Sequence, residues 1–160
     1  MLYARLQLAL PEARTVLVAP PRSSLDAFPV ARELAGLAAA AGCSVRLIAL
    51  TAAGGDAASQ TRSDAPGEGA ATGDIEVLRL PAANLGNLDR LREVLAPARD
   101  LTVIAGSGLL DNPVSILAAP IVDGVVVVVR PGKTARSDLS RVKVEIERAG
   151  GRIAGAVMLK

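Results

Sequence analysis

Histidine and tryptophan are absent from this chain, and cysteine occurs once, at Cys43. Tyr3 and Phe28 are the only aromatic residues among 160. Each shortage removes a class of function. Without histidine there is no imidazole general base, no Ser–His or Cys–His nucleophilic pair, and no zinc site built on histidine. A single thiol closes no intrachain disulfide, which fits a reducing, cytoplasmic setting. Two aromatic side chains make no stacking platform for bases or sugars. No apolar run approaches the roughly 20 residues that cross a bilayer, and no signal-peptide pattern is read. Charge is nearly balanced, with 18 Lys and Arg against 16 Asp and Glu. The basic residues read as scattered, which argues against a nucleic-acid partner.

What the chain has in plenty is alanine, valine and leucine, arranged as apolar runs that alternate with helical patterns. "RTVLVAP" (Arg14 to Pro20), "SVRLIAL" (Ser44 to Leu50), "IEVLRL" (Ile75 to Leu80), "DLTVIAG" (Asp100 to Gly106), "DGVVVVVR" (Asp123 to Arg130) and "RIAGAVML" (Arg152 to Leu159) read as strands. They are apolar without alternation, as strands covered on both faces are. Helices are predicted over Phe28 to Gly42, Asn87 to Ala98 and Ser137 to Gly151. Pro29 lies in the first turn of the first of these, Asp26 is its expected N-cap, and Gly42 and Gly150 are helix stops. Residues 51–74, rich in Gly, Ala, Ser and Asp, show no periodicity and read as a long mobile loop. Alternating strands and helices predict one α/β domain over residues 1–160, a doubly wound, mainly parallel sheet with helices on both faces. Ligands in such folds bind beyond the carboxyl ends of the strands.

At one such end, Gly132-Lys133-Thr134 follows a run of five valines. A phosphate loop needs GxxxxGK[ST], so that the first glycine lets backbone N–H groups turn toward the phosphates. The position five before Gly132 is Val127, inside the strand, where the required backbone is denied. This GKT therefore reads as a strand-to-helix turn.

The order and spacing of the pieces resemble the cytoplasmic P-loop domain of bacterial tyrosine kinases and the related capsular and exopolysaccharide biosynthesis ATPases. "DGVVVVVRPGKTARSDLSRVKVEIERAGGRIAGAVML" is similar to that family's DGVLLVVRAGKT, a helix ending in RAG, and GVVLN. "RDLTVIAGSGLLDNP" resembles YDLVIIDTPPVLGD, and "LYARLQLAL" has the spacing of EAYRTLRTNL. The resemblance covers nearly the whole chain and implies a P-loop NTPase-like three-layer fold. It also locates the family's true phosphate loop, SPSPGEGKSTVALNLA, at "APPRSSLDAFPVARELA". Pro21, Val30, Ala31, Leu34 and Ala35 keep their places there. Ser24 and Asp26 stand for the two loop glycines, Ala27 for the phosphate-binding lysine, and Phe28 for the magnesium-binding hydroxyl. Ala49 and Thr51 replace the Asp-x-Asp of the second Walker motif, Ala105 the Walker B aspartate, and Leu159 the adenine-contacting asparagine.

Each replacement removes something nucleotide binding needs. Ser24 and Asp26 oppose the tight positive-φ cradle, and Asp26 puts negative charge where phosphate would sit. Ala27 neutralises nothing, and Phe28, Ala49 and Ala105 give magnesium no oxygen. The resemblance thus implies a degenerate member that keeps the fold and binds neither ATP nor Mg²⁺. It would be a non-catalytic binding or scaffolding partner in exopolysaccharide or capsule synthesis and export. Relatives work beside a membrane polysaccharide co-polymerase, a chain-length regulator, so the expected place is cytoplasmic, at the inner face of the membrane through that partner, without direct insertion. Homo-oligomers also fit the family.

Two rivals are weighed. One is an active ATPase or tyrosine kinase with an altered site, which would need another cation such as Arg22 or Lys133. The other is a positioning or partitioning ATPase relative, which the same losses oppose.

Several residues have both a ligand-binding and an ordinary reading. Arg22 and Ser23 before a helix could hold an anion, as could Lys133 and Thr134 at the valine strand's end; a capped turn and a solvated loop are the plainer alternatives. Asp111 and Asp123 are expected to serve turns and caps, and no metal site is expected. Cys43 is expected to pack as a small apolar residue. Tyr3, Leu6 and Leu10 share one helical face, expected to contact the rest of the domain, a neighbouring subunit or the membrane partner.

Overall fold

A computed structural model of the chain describes residues 14–22, 25–51, 75–81, 93, 95, 100–106, 108–111 and 113–159. Six strands form one parallel sheet: β1 (Thr15–Ala19), β2 (Val45–Thr51), β3 (Ile75–Pro81), β4 (Leu101–Ala105), β5 (Gly124–Val129) and β6 (Ile153–Met158), in the order β3-β2-β4-β1-β5-β6. Three helices are described: α1 (Phe28–Ala40), α2 (Pro113–Ala118) and α3 (Arg136–Arg148). Glu93 and Leu95, within the helix expected over 87–98, are also helical. The parallel α/β architecture predicted from the apolar runs is the observed one.

Two differences have simple causes. β2 runs to Thr51, one residue into the expected loop, because Thr51 pairs with Pro81 at the end of β3. The rest of that loop, 52–74, lies outside the described residues. Helix α2 was not expected. Its six residues are too few to display a 3.6-residue period.

The sheet divides two apolar cores. Val16, Val18, Val45, Leu47, Leu101, Val103, Val126 and Val128 face one way and are met by Val30, Ala31, Leu34, Ala35, Ala38 and Ala39 of α1. Leu17, Ile48, Ile104, Val125, Val127 and Val129 face the other way and pack with Ala118 of α2 and Val142 and Ile146 of α3. The central strands are buried along their whole length, which is why their sequences do not alternate. At the amino ends, Ser44 and Asp100 exchange hydrogen bonds: Ser44 N–H donates to Asp100 Oδ2 at 2.8 Å, and Asp100 N–H donates to Ser44 Oγ at 3.1 Å.

Helices α1 and α3 end alike. Gly42 N–H donates to the Ala39 carbonyl and Cys43 N–H to that of Ala38; Gly150 and Gly151 do the same to Glu147 and Ile146. This is the double-bonded glycine stop, with Gly42 and Gly150 at φ of 92° and 86°. Cys43 packs against the α1-side core, as its apolar reading expects. Gly151 is required for a different reason. A Cβ there would lie 2.7 Å from Ala119 Cβ, 3.0 Å from Ile146 Cγ2 and 3.2 Å from the Ala119 backbone carbonyl carbon. Neither a methyl nor a backbone can move aside cheaply. Gly151→Ala is expected to cost about 1–3 kcal/mol by overpacking. Urea unfolding measures it; an unchanged midpoint would mean that the α2–α3 contact yields freely.

Candidate functional site

The sheet's topological switch lies between β1 and β4. The chain leaving β1 enters α1 on one face, and the chain leaving β4 enters α2 on the other. Brought together there are the two segments that follow these strands. Gly106 N–H donates to the Val18 carbonyl at 2.8 Å, Leu109 N–H to Pro20 at 2.9 Å, and Leu110 N–H to Pro21 at 3.0 Å. Pro20 and Pro21 have no N–H of their own but keep carbonyls, and the post-β4 segment occupies both. That ladder carries Asp111 alongside Arg22.

Arg22 is held by two carboxylates. Its Nη1 donates to Asp111 Oδ1 at 3.0 Å, while Nη2 and Nε donate to Asp138 Oδ1 and Oδ2 at 3.1 and 3.3 Å. The second contact is a two-pronged fork, the geometry that suits guanidinium and carboxylate. The hydrogen bonds to Asp138, then to Asp111, raise the arginine's pKa above its already high ordinary value. Asp138 belongs to the first turn of α3, where its charge also suits the helix dipole. The clasp therefore ties the post-β1 turn, the post-β4 turn and α3 together. Among the described residues, one cation faces two carboxylates in it.

The start of α1 is described from Leu25 onward. Ala27 occupies the N-cap with φ −82° and ψ −16°, helical rather than left-handed. Asp26, expected as the cap itself, stands one residue earlier; its Oδ1 still accepts from the Phe28 N–H at 3.0 Å. Ala27 is buried, and half-buried Phe28 packs against the core that also contains Ala105. Ala49 and Ala105 are buried and directly opposite in register at the carboxyl ends of β2 and β4. The four positions thus present methyl groups and a phenyl ring. No ammonium, hydroxyl or carboxylate stands there to fit a phosphate or magnesium. Leu159 is half-buried against the α1-side core, its N–H donating to Val129. Thr51 ends β2.

The turn after β5 is closed on itself. Lys133 and Thr134 N–H both donate to the Arg130 carbonyl, and Thr134 Oγ1 accepts from Arg130 N–H at 2.9 Å. Gly132 at φ 78° makes this possible. The GKT is a turn, as its missing first glycine predicts, with the Lys133 side chain exposed. Asp123 sits at the opposite, amino end of the sheet, where its Oδ2 accepts from Arg14 and Thr15 N–H groups. Asp111 and Asp123 therefore share no site. Among the described residues no group of three or more acidic or cysteine side chains could hold a metal. Ser23, Ser24, Tyr3, Leu6 and Leu10 lie outside the described residues.

Sequence reading missed the clasp. Nothing local to Arg22 signals it, since its partners stand 89 and 116 residues away. A hint was present in Asp138, an acid in the first turn of a helix that follows a strand.

No family model matches the chain, and comparison with curated proteins gives no significant match. Solved structures do match. The crystal structure of the chimerical protein CapA2B2 superposes with a TM-score of 0.72 at 16% identity, over 97% of this chain and 80% of that one. The BceF tyrosine kinase domain superposes with a TM-score of 0.69 at 18% identity, over 98% and 74%. At such identities the likeness speaks for architecture: this chain has the fold of the CapA2B2 chimera and of the BceF tyrosine kinase domain.

Proposed function

We propose that the chain is a nucleotide-site-depleted relative of the exopolysaccharide and capsule biosynthesis ATPases, acting as a binding or scaffolding partner in polysaccharide synthesis and export. The fold shared with a tyrosine kinase domain supports the relationship. The observation that carries the loss of catalysis is the Arg22 clasp. The cation best placed to substitute for the missing lysine is already neutralised by Asp111 and Asp138 at 3.0 and 3.1 Å. An incoming triphosphate would have to displace two carboxylates from it. Ala27, Phe28, Ala49 and Ala105 offer no group of their own to stabilise a transferring phosphoryl.

A retained core without its chemistry points to contacts as the function. The partner is a membrane polysaccharide co-polymerase, met by its cytoplasmic segments.

Titration with ATP–Mg²⁺ tests the reading. The expected result is no heat of binding and no rise in melting temperature at about 1 mM nucleotide. Binding with a Kd of about 10 μM would add roughly 2.7 kcal/mol there. In a chain of this length that is a rise of roughly 5–10 °C, and it would overturn the proposal. Capture of the co-polymerase's cytoplasmic segments by nucleotide-stripped protein is the positive arm. Capture that appears only with ATP would replace the scaffold by an altered ATPase.

A further inference from the structure

The basic residues, read above as scattered, are concentrated in one contiguous stretch of the chain. Residues 130–160 hold eight Lys and Arg against three Asp and Glu, a surplus of five positive charges; residues 1–129 hold ten against thirteen, a deficit of three. Arg130, Lys133, Arg136, Arg141, Lys143, Arg148 and Arg152 all lie on α3 or its flanking turns, and all are exposed. Of the three acids, Asp138 is taken by Arg22, and Glu145 leans on Arg148 at 3.7 Å. Among the described residues, no carboxylate ion pair engages the other six.

The same side of the sheet carries exposed aliphatic side chains. Val144 is 44% exposed on α3, Leu117 47% on α2 and Met158 70% on β6. Both helices pack on the core that includes Val129, and Met158 is the register partner of Val129, so its side chain leaves the sheet on that face. Of the large apolar residues exposed among the described ones, only Leu37, on α1, belongs to the opposite face. Val144 lies centrally on the outer surface of α3, opposite buried Val142 and Ile146. Arg141 and Arg148, three and four residues away, flank it on one side, and Arg136 and Lys143 share the other with the exposed third acid, Glu147. Singly, such exposed residues need no explanation. Cations alternating with aliphatic side chains across one face are the combination that suits an interfacial contact with lipid, where headgroup charge and the upper acyl region are met together.

We propose that the α3 face, with α2 and β6 beside it, docks on an anionic phospholipid surface. The contact is peripheral, since no described helix is long and apolar enough to cross a membrane. It lies outside the nucleotide-site positions and stands independently of the scaffold reading. A nucleic-acid partner would match the charge but leave Val144, Leu117 and Met158 without a role, and the chain has no aromatic platform for bases.

Co-sedimentation of the full chain with vesicles tests this. Phosphatidylglycerol–phosphatidylcholine vesicles are expected to bind it at low salt and release it at about 0.5 M salt, where screening is strong. Pure phosphatidylcholine should bind little. Each neutralised cation should lower the partition coefficient about fivefold, so Arg141→Gln with Arg148→Gln loses roughly 25-fold. Arg136→Gln with Lys143→Gln should repeat the loss from the other flank, and Val144→Ser should weaken binding at unchanged charge. Arg32→Gln, on exposed α1, is the control and should bind as the parent does. Circular dichroism and melting temperature check that each variant is folded. Equal binding to both vesicle types, undiminished binding by the flank variants, or displacement from vesicles by equimolar duplex DNA or RNA would overturn the proposal.

Discussion

Leu17→Ala is expected to lower the unfolding free energy by about 2–5 kcal/mol, and Gly106→Ala by about 1–3 kcal/mol, yet the pair together should cost less than the sum. Leu17 is at the centre of β1, with β4 on one side and β5 on the other, and is fully buried. Shortening it leaves a cavity between sheet and helices that rigid neighbours cannot collapse into. Gly106 has the converse problem. A Cβ there would stand 3.1 Å from Leu17 Cδ1, 3.1 Å from Ser115 Oγ and 3.3 Å from Ala19 Cβ. Removing Cδ1 opens the space that the new methyl needs, and the methyl then fills part of the cavity. Urea unfolding of the four proteins measures the coupling. It should favour the double variant by about 0.5–3 kcal/mol. Strict additivity would mean that Ser115 Oγ or Ala19 Cβ, not Leu17, sets the limit at Gly106.

The position of Gly106 explains why the site was only partly legible. It follows Ala105, which the family resemblance aligns with the Walker B aspartate, so the sequence could point to this strand end. It could not reveal which segments meet there. The β1–β4 approach is a backbone ladder through Pro20 and Pro21, and the Arg22 clasp joins residues from three segments. Neither leaves a local signature. The strands, in contrast, were legible because burial on both faces demands uninterrupted apolar residues, and each valine-rich run supplied them. The helix stops were legible because Gly42 and Gly150 are the residues that the left-handed turn favours. Short α2 left no periodic trace, and Asp26 was displaced by one residue because the first turn begins at Phe28 with Pro29 behind it. The charge surplus of residues 130–160 is countable in the sequence, but which of the cations on α3 face outward follows only once Val142 and Ile146 are known to be its buried side.

Glu76→Ala should destabilise the protein more than Arg46→Met, although the first removes the more exposed partner of the same pair. Arg46 lies inside β2 at 3% exposure, opposite Glu76 of β3 and buried Thr102 of β4. Its Nε donates to Glu76 Oε2 at 3.3 Å. Glu76 is still 28% exposed and remains hydrated without its partner. Removing the carboxylate therefore leaves a guanidinium in the interior with less compensation than it had. Breaking such a buried pair from one side costs up to about 3–5 kcal/mol. Replacing the arginine by methionine instead keeps most of the buried volume, withdraws the charge from the interior and leaves the anion where water reaches it, a change closer to neutral. Arg46 and Glu76 each make a further interaction, so the loss of Glu76 reduces the arginine's compensation without abolishing it. Urea unfolding at neutral pH and moderate salt gives the order directly. If Arg46→Met proved the more damaging, the arginine would be holding β2, β3 and β4 together through its other contacts, and the pair with Glu76 would be incidental.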